Sequence, residues 1–233
     1  MILSVARILI GAVVLIVAIA VVAGIYLLTY RPDANRYPVR GVDVSHHQGD
    51  IDWGKVAADN VAFAYMKSTE GGDWQDRKFL ENWKAAREAR LATGAYHFFT
   101  LCRPGKDQAE NFLATLPRDG SMLPPAVDLE YVGNCKERPT PEALKREVDD
   151  FFGMVEKALG REAIIYAPED FLADYREALP DRPLWRRSVF RPPHSDDWLL
   201  WQYTFTGFVD GIEGGVDLNV LSGDKETLSD LLR

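Results

Sequence analysis

Cysteine and histidine are scarce in this chain of 233 residues, with two Cys and four His, and basic residues are in deficit, 27 Lys and Arg against 35 Asp and Glu. That deficit excludes an ordinary nucleic-acid binder, because affinity for a phosphate backbone comes from clustered Lys and Arg. No Cys-x-x-Cys or His-x-x-x-His spacing occurs, and the adjacent His46 and His47 would point to opposite sides of an extended chain, so no metal site is expected. The first apolar strand pattern is not followed by Gly-x-Gly-x-x-Gly, and a dinucleotide-binding sheet therefore has little support. Internal repeats are also lacking.

What is present suits a folded acidic domain. With 47% hydrophobic and 11% aromatic residues the chain can bury a sizeable core, unlike a disordered acidic tail. Residues 1–40 contain Arg7, Arg31, Arg36 and Arg40 but one acid, Asp33, a net +3, so of the overall −8 residues 41–233 carry −11. Residues 8–29 carry no charge over 22 positions, enough helix at about 1.5 Å per residue to cross a ~30 Å hydrocarbon layer. Residues 1–30 are thus expected to be a transmembrane signal anchor; cleavage near Ala20–Gly24 as a signal peptide is the competing reading. Residues 31–40, with two Pro, read as a linker, and 41–233 as one catalytic domain. The Arg distribution does not fix orientation, since Arg7 precedes the span and three Arg follow it.

From residue 41 short apolar runs alternate with amphipathic ones. Strands are predicted at 41–45, 61–67, 94–99, 125–130, 163–167, 184–187, 198–203 and 216–220, and helices at 53–59, 76–91, 106–116, 141–159 and 169–178. On the second helix Phe79, Leu80, Trp83, Ala86 and Ala89 form the apolar face. No helix is predicted after 180. This pattern predicts an α/β fold, an incomplete TIM-like β/α barrel of five β/α units followed by three β-strands, with one N-terminal transmembrane helix before it.

Polar residues gather near the strand ends: Asp43 and Ser45, Lys67 and Glu70, Tyr96 and His97, Asp128 and Glu130, Tyr166, Gln202 and Tyr203, Asp217 and Asn219. In a barrel such ends meet on the rim that carries active sites. Asp128 and Glu130, two apart on a strand, share a face, while Leu129 points into packing. Repulsion and burial should raise one of the two pKa values, as a general acid requires.

The segments GVDVSHHQGDIDW (41–53), FAYMKSTEG (63–71), GAYHFF (94–99), LPPAVDLE (123–130), IIYAP (164–168), WQYTFTG (201–207) and GGVDLN (214–219) resemble, in order, the family 25 glycoside hydrolases, the Chalaropsis-type lysozymes or N-acetylmuramidases. The resemblance implies a lysozyme-type glycosidase that cleaves the β-1,4 bond between N-acetylmuramic acid and N-acetylglucosamine in peptidoglycan with retention and without a cofactor. It makes Glu130 the general acid and Asp128 the partner supporting attack by the substrate's N-acetyl group, or else a direct nucleophile. Asp43 and Asp217 match the remaining acidic residues. Tyr96, Tyr166, Trp201 and Tyr203 are candidate sugar-stacking faces, with core packing as the alternative, and Gln202 offers an amide to a hydroxyl or acetamide. Lys67 and Glu70 are expected to pair at the rim, His47 and His97 to hydrogen-bond within the cleft, and His194 to lie in a loop. Cys102 and Cys135, in loops after the third and fourth strands, are candidates for a disulfide. The implied partner is peptidoglycan, with the membrane held through residues 8–29 and the catalytic domain outside the cytoplasm, facing the periplasm from the inner membrane. Two other functions remain open on the sequence: a non-catalytic peptidoglycan-binding module and a hydrolase of chitin-like N-acetylglucosamine polymers.

Overall fold

A computed structural model describes residues 2–118, 121–195 and 197–233, with side chains inside the first helix described at positions 10–26 and 29. Two compact units divide the chain, Met1–Arg31 and Pro32–Arg233. The first contains helix α1 (Ile2–Thr29), whose described apolar side chains, Ile10, Leu15 and Val22 among them, are exposed. Among the described residues no helix is long and apolar enough to cross a membrane. Positions 8, 9, 27 and 28 of the expected span lie outside the described side chains. The transmembrane helix, and the anchored localisation built on it, are therefore not supported.

In the second unit, strands β1 (Arg40–Val44), β2 (Val61–Glu70), β4 (Ala92–Phe98), β5 (Ala126–Asp128), β6 (Ile164–Ala167), β7 (Leu184–Arg187), β8 (Trp198–Gly207) and β9 (Val216–Leu221) form the barrel wall. They pair in that order, and β9 pairs back onto β1, which closes the ring. A further strand, β3 (Trp74–Gln75), lies antiparallel on β2 outside the ring. The pairings from β1 to β8 are parallel, whereas β9 is antiparallel to both β8 and β1. This corrects one expectation: Asp217 is near the amino end of its strand. Because that strand runs the other way, Asp217 still reaches the rim formed by the carboxyl ends of the others.

Helices α2 (Trp53–Ala58), α3 (Phe79–Glu88), α4 (Gly105–Thr115), α5 (Pro141–Leu159) and α6 (Glu169–Tyr175) follow the predicted units. Helix α5 starts with a Thr140 hydroxyl accepting from the Ala143 amide and Pro141 in its first turn, and stops at Gly160 with φ 67°, the expected asymmetry of helix ends. On α3, Leu80 is exposed and Asn82 buried, accepting from the Trp53 indole at 3.2 Å. A short helix, α7 (Lys225–Asp230), capped by Asp224, follows β9. The sequence pattern missed it because KETLSD contains one apolar residue, Leu228, and so shows no apolar face.

The barrel interior packs Phe63, Tyr65, Trp185 and Leu200. Large rings fit because Gly41 and Gly94 leave room: a Cβ there would fall 2.2 Å from Phe63 and 2.3 Å from Tyr65. Tyr37 and Val39, assigned from sequence to the linker, are buried, and the Val39 carbonyl accepts from Leu221 at 3.0 Å. The ordered barrel therefore begins several residues before 41.

Candidate active site

At the rim, β1 supplies Asp43, the end of β5 supplies Asp128 and Glu130, and the start of β9 supplies Asp217. The extended chain continues past β5, the Leu129 amide donating to the Tyr166 carbonyl at 2.9 Å. Leu129 is fully buried, so the carboxylates on either side turn together toward the barrel mouth. Asp43, Asp128, Glu130 and Asp217 line one pit of about 90 Å³ with Tyr96, Tyr166, Trp185 and Gln202. Above it a cleft of about 340 Å³ adds Ser45, His47, Lys67, Glu70, Phe98 and Val132.

Few protons are shared among these acids. Asp217 faces Asp43 across the β1–β9 ladder, and burial, with the Asp43 charge beside it, pushes its carboxyl up to about 10. It therefore holds a proton at neutral pH and donates to Asp43. Burial raises Asp43 too, opposed by donation from Asn219 Nδ2 at 2.6 Å, from Gln202 Nε2 at 3.1 Å and from Asp217. Asp128 is pushed well above the usual carboxylate range, first by burial and then by the Glu130 charge; its Oδ1 is buried with no hydrogen-bond partner. Glu130 is pushed up to about 7 by burial, with Arg187 as the main opposing charge. A rise from 4.5 to about 7 corresponds to roughly 3 kcal/mol in favour of the neutral acid. The pit thus offers a carboxylic acid able to give up its proton near neutral pH beside a second carboxyl with a vacant acceptor.

The aromatic candidates divide by parity along their strands. Tyr96 and Tyr166 reach the pit, and the Tyr166 hydroxyl donates to Gln202 Oε1 at 3.1 Å. Trp201 and Tyr203 do not: both are fully buried on the opposite face of β8, where the Trp201 ring packs 5.6 Å from Tyr37 and 6.0 Å from Trp198. A strand alternates its side chains, so placing Gln202 inward sends its two neighbours outward. The Gln202 amide, expected to meet a sugar, instead bridges Asp43 and Tyr166.

His97 is another departure. It lies outside the barrel, fully buried, its ring nitrogens meeting Thr69 at 2.7 Å and Gln108 at 3.1 Å and its ring stacked on Phe151. Burial lowers its pKa to about 3, so it stays neutral. His47 does line the cleft, His194 sits in an exposed loop, and Lys67 Nζ meets Glu70 at 2.6 Å. Cys102 and Cys135 are joined, their Cα atoms 6.3 Å apart. With Glu137 they make a group of possible metal ligands, but both sulfurs are already taken by the disulfide. Two site residues were missed, Trp185 in the pit wall and Arg187, whose Nη1 is 3.4 Å from Glu130 Oε2. Their alternate spacing on the predicted strand 184–187 was the available signal.

The family model described as glycosyl hydrolases family 25 matches residues 42–212, a stretch that includes Asp43, Asp128 and Glu130 and stops short of Asp217. The uncharacterized protein YegX of Escherichia coli K12 is 37% identical over 204 residues, covering 82% of this chain and 72% of that one. Lysozyme M1 of Streptomyces globisporus is 31% identical over 209 residues, again 82% of this chain and 70% of its own length. The solved family 25 glycosyl hydrolase of Bacillus anthracis superposes with a TM-score of 0.81 at 36% identity, covering 88% of this chain and 97% of that structure. By sequence and by fold, the chain belongs to family 25 of the glycosyl hydrolases and is a glycosidase.

Proposed function

We propose that this enzyme is a peptidoglycan hydrolase that cuts the β-1,4 bond between N-acetylmuramic acid and N-acetylglucosamine with retention, and so acts outside the cytoplasm, where that polymer lies. The observation that carries the reading is Glu130, an acid kept protonated to about pH 7 by burial, beside Asp128 in a pit lined by aromatic rings. Relatives named lysozyme support the substrate class.

In this reading Glu130 donates its proton to the leaving glycosidic oxygen as the bond to the anomeric carbon breaks. The acetamido carbonyl oxygen of the substrate attacks that carbon from the opposite face, and Asp128 accepts the acetamide N–H at its vacant Oδ1. Water, giving its proton to Glu130, then opens the cyclic intermediate, so two inversions give net retention. Asp43 and Asp217 share a proton behind this pair and hold Gln202, while Tyr96 and Tyr166 wall the sugar ring.

The test is digestion of purified sacculi by the full-length chain in detergent, with new reducing ends identified by mass spectrometry. Reducing muramic acid is expected; reducing glucosamine alone, or no cleavage, would contradict the reading. Activity confined to chitin oligomers would move the assignment to that polymer. Glu130→Gln should lower turnover by roughly 10²–10⁴-fold with binding retained, the usual scale for general-acid catalysis.

A further inference from the structure

Two cations oppose the acidic charge at Asp128 and Glu130, Lys67 and Arg187. They differ in how firmly they are held. Lys67 is fixed, its Nζ 2.6 Å from Glu70 and lying 5.0 Å and 4.7 Å from the ring centres of Trp74 and Phe98. Arg186 is fixed too, turned the other way toward Glu169 and Asp197. Arg187 shares its face of β7 with the pit residue Trp185 and makes one long contact, Nη1 to Glu130 Oε2 at 3.4 Å. Its side chain is 30% exposed, and among the described residues its guanidinium has no other hydrogen bond. Most of its five N–H donors are therefore open beside the cleft.

An open guanidinium at the mouth of a pit with four carboxyls has a chemical consequence. A substrate carrying its own carboxylate would meet acceptor oxygens on Asp43, Asp128 and Glu130, and repulsion whenever one of them ionises, unless a cation met it. The guanidinium fork matches a carboxylate in a two-point, charge-assisted pair, which an amide or a hydroxyl does not reproduce. We propose that Arg187 is a binding subsite for a carboxylate on the muramic acid side of the scissile bond, and that engaging it draws the guanidinium away from Glu130. This rests on the peptidoglycan reading above. The carboxylate can come from the lactyl group of peptide-free strands or from the stem peptide.

Seating the substrate then strengthens the hold of Glu130 on its proton, because the main charge opposing protonation is neutralised at that moment. Asp43, Asp128, Asp170 and Lys67 also act at this site, and their positions do not depend on Arg187. The acid is loaded when the correct sugar is in place.

The experiment measures kcat/KM of the full-length chain in detergent on three soluble substrates: peptide-free strands with lactyl carboxylates, the same strands after amidation, and peptide-bearing strands. The wild type should prefer the carboxylate form to the amidated form by roughly 10–100-fold, the scale of a charge-assisted hydrogen bond. Arg187→Gln should bring that ratio near unity and move the basic limb of its pH profile upward, while Arg187→Lys should retain part of the preference. If only peptide-bearing strands outrun the amidated ones, the stem peptide is the source; if peptide-free strands do so, the lactyl group is. A wild type in which neither peptide-free nor peptide-bearing strands outrun the amidated ones, or a preference unchanged in Arg187→Gln, would overturn the subsite. Failure of the wild type to release muramic ends would instead overturn the peptidoglycan reading. Should Arg187→Gln not fold, the wild-type ratio and the Lys variant still decide.

Discussion

Burial takes the charge from Glu130 and Asp217, and the sign of each effect can be tested. Glu130, held at about 7, must be protonated to act, so kcat/KM should fall as pH rises through about 7. Asp217, pushed from 3.8 to about 10, binds its proton more tightly when folded, and its contribution to stability is largest below pH 4 and is lost as pH rises toward 10. Asp217→Asn keeps a donor for Asp43 and removes that proton linkage. It should leave stability at pH 4 near the wild-type value and raise it at pH 8 by about 1–3 kcal/mol, read as the melting temperature against pH. The Asp128–Glu130 pair was legible in the sequence because a strand places alternate residues on one face. The same rule, applied to Trp201 and Tyr203 beside Gln202, would have removed both from the site. It would also have sent His97 outward, next to the inward Tyr96, but not named its partners Thr69 and Gln108, the second of which belongs to the later helix α4.

Among the elements, the alternation of strands and helices was readable because each is either an apolar run or an amphipathic stretch of more than one turn. The direction of β9 was also readable in principle: only residues 208–215 separate it from β8, too few for the crossover that a parallel pair needs. Two connections can be tested through stability. The Cys102–Cys135 bridge joins residues 33 apart in loops following β4 and β5. Cys102→Ser with Cys135→Ser should lower stability by about 2–4 kcal/mol, seen by calorimetry as a fall in melting temperature that reducing agent does not deepen. At the start of α4, a Cβ on Gly105 would lie 1.8 Å from the Glu147 carbonyl oxygen in α5. Gly105→Ala should separate these helices and cost about 1–3 kcal/mol, measured by denaturant unfolding. Asn134 braces the segment that carries Glu130, accepting from the Leu101 amide at 2.9 Å and donating to the Glu130 carbonyl at 2.9 Å. Nothing local in the sequence marks that role, which depends on contacts across two loops.

For the whole molecule, ring closure is what makes the site. Asp43 and Asp217 are 174 positions apart in sequence and become neighbours only because β9 pairs with β1, while β5 faces them across the barrel mouth with Asp128 and Glu130. Motif order along the chain anticipated this architecture, and family membership and the closed barrel agree with it. The apolar amino-terminal segment was legible as a helix, though among the described residues no helix is long and apolar enough to cross a membrane. The chemistry depends on an acid that keeps its proton in a cleft open to a polymer. Its most direct measurement is a carbon-13 NMR titration of glutamate side-chain carboxyls in the full-length chain, with Glu130→Gln identifying the resonance. A midpoint for Glu130 near 7 is predicted; a midpoint at the ordinary glutamate value of about 4.3 would contradict the account.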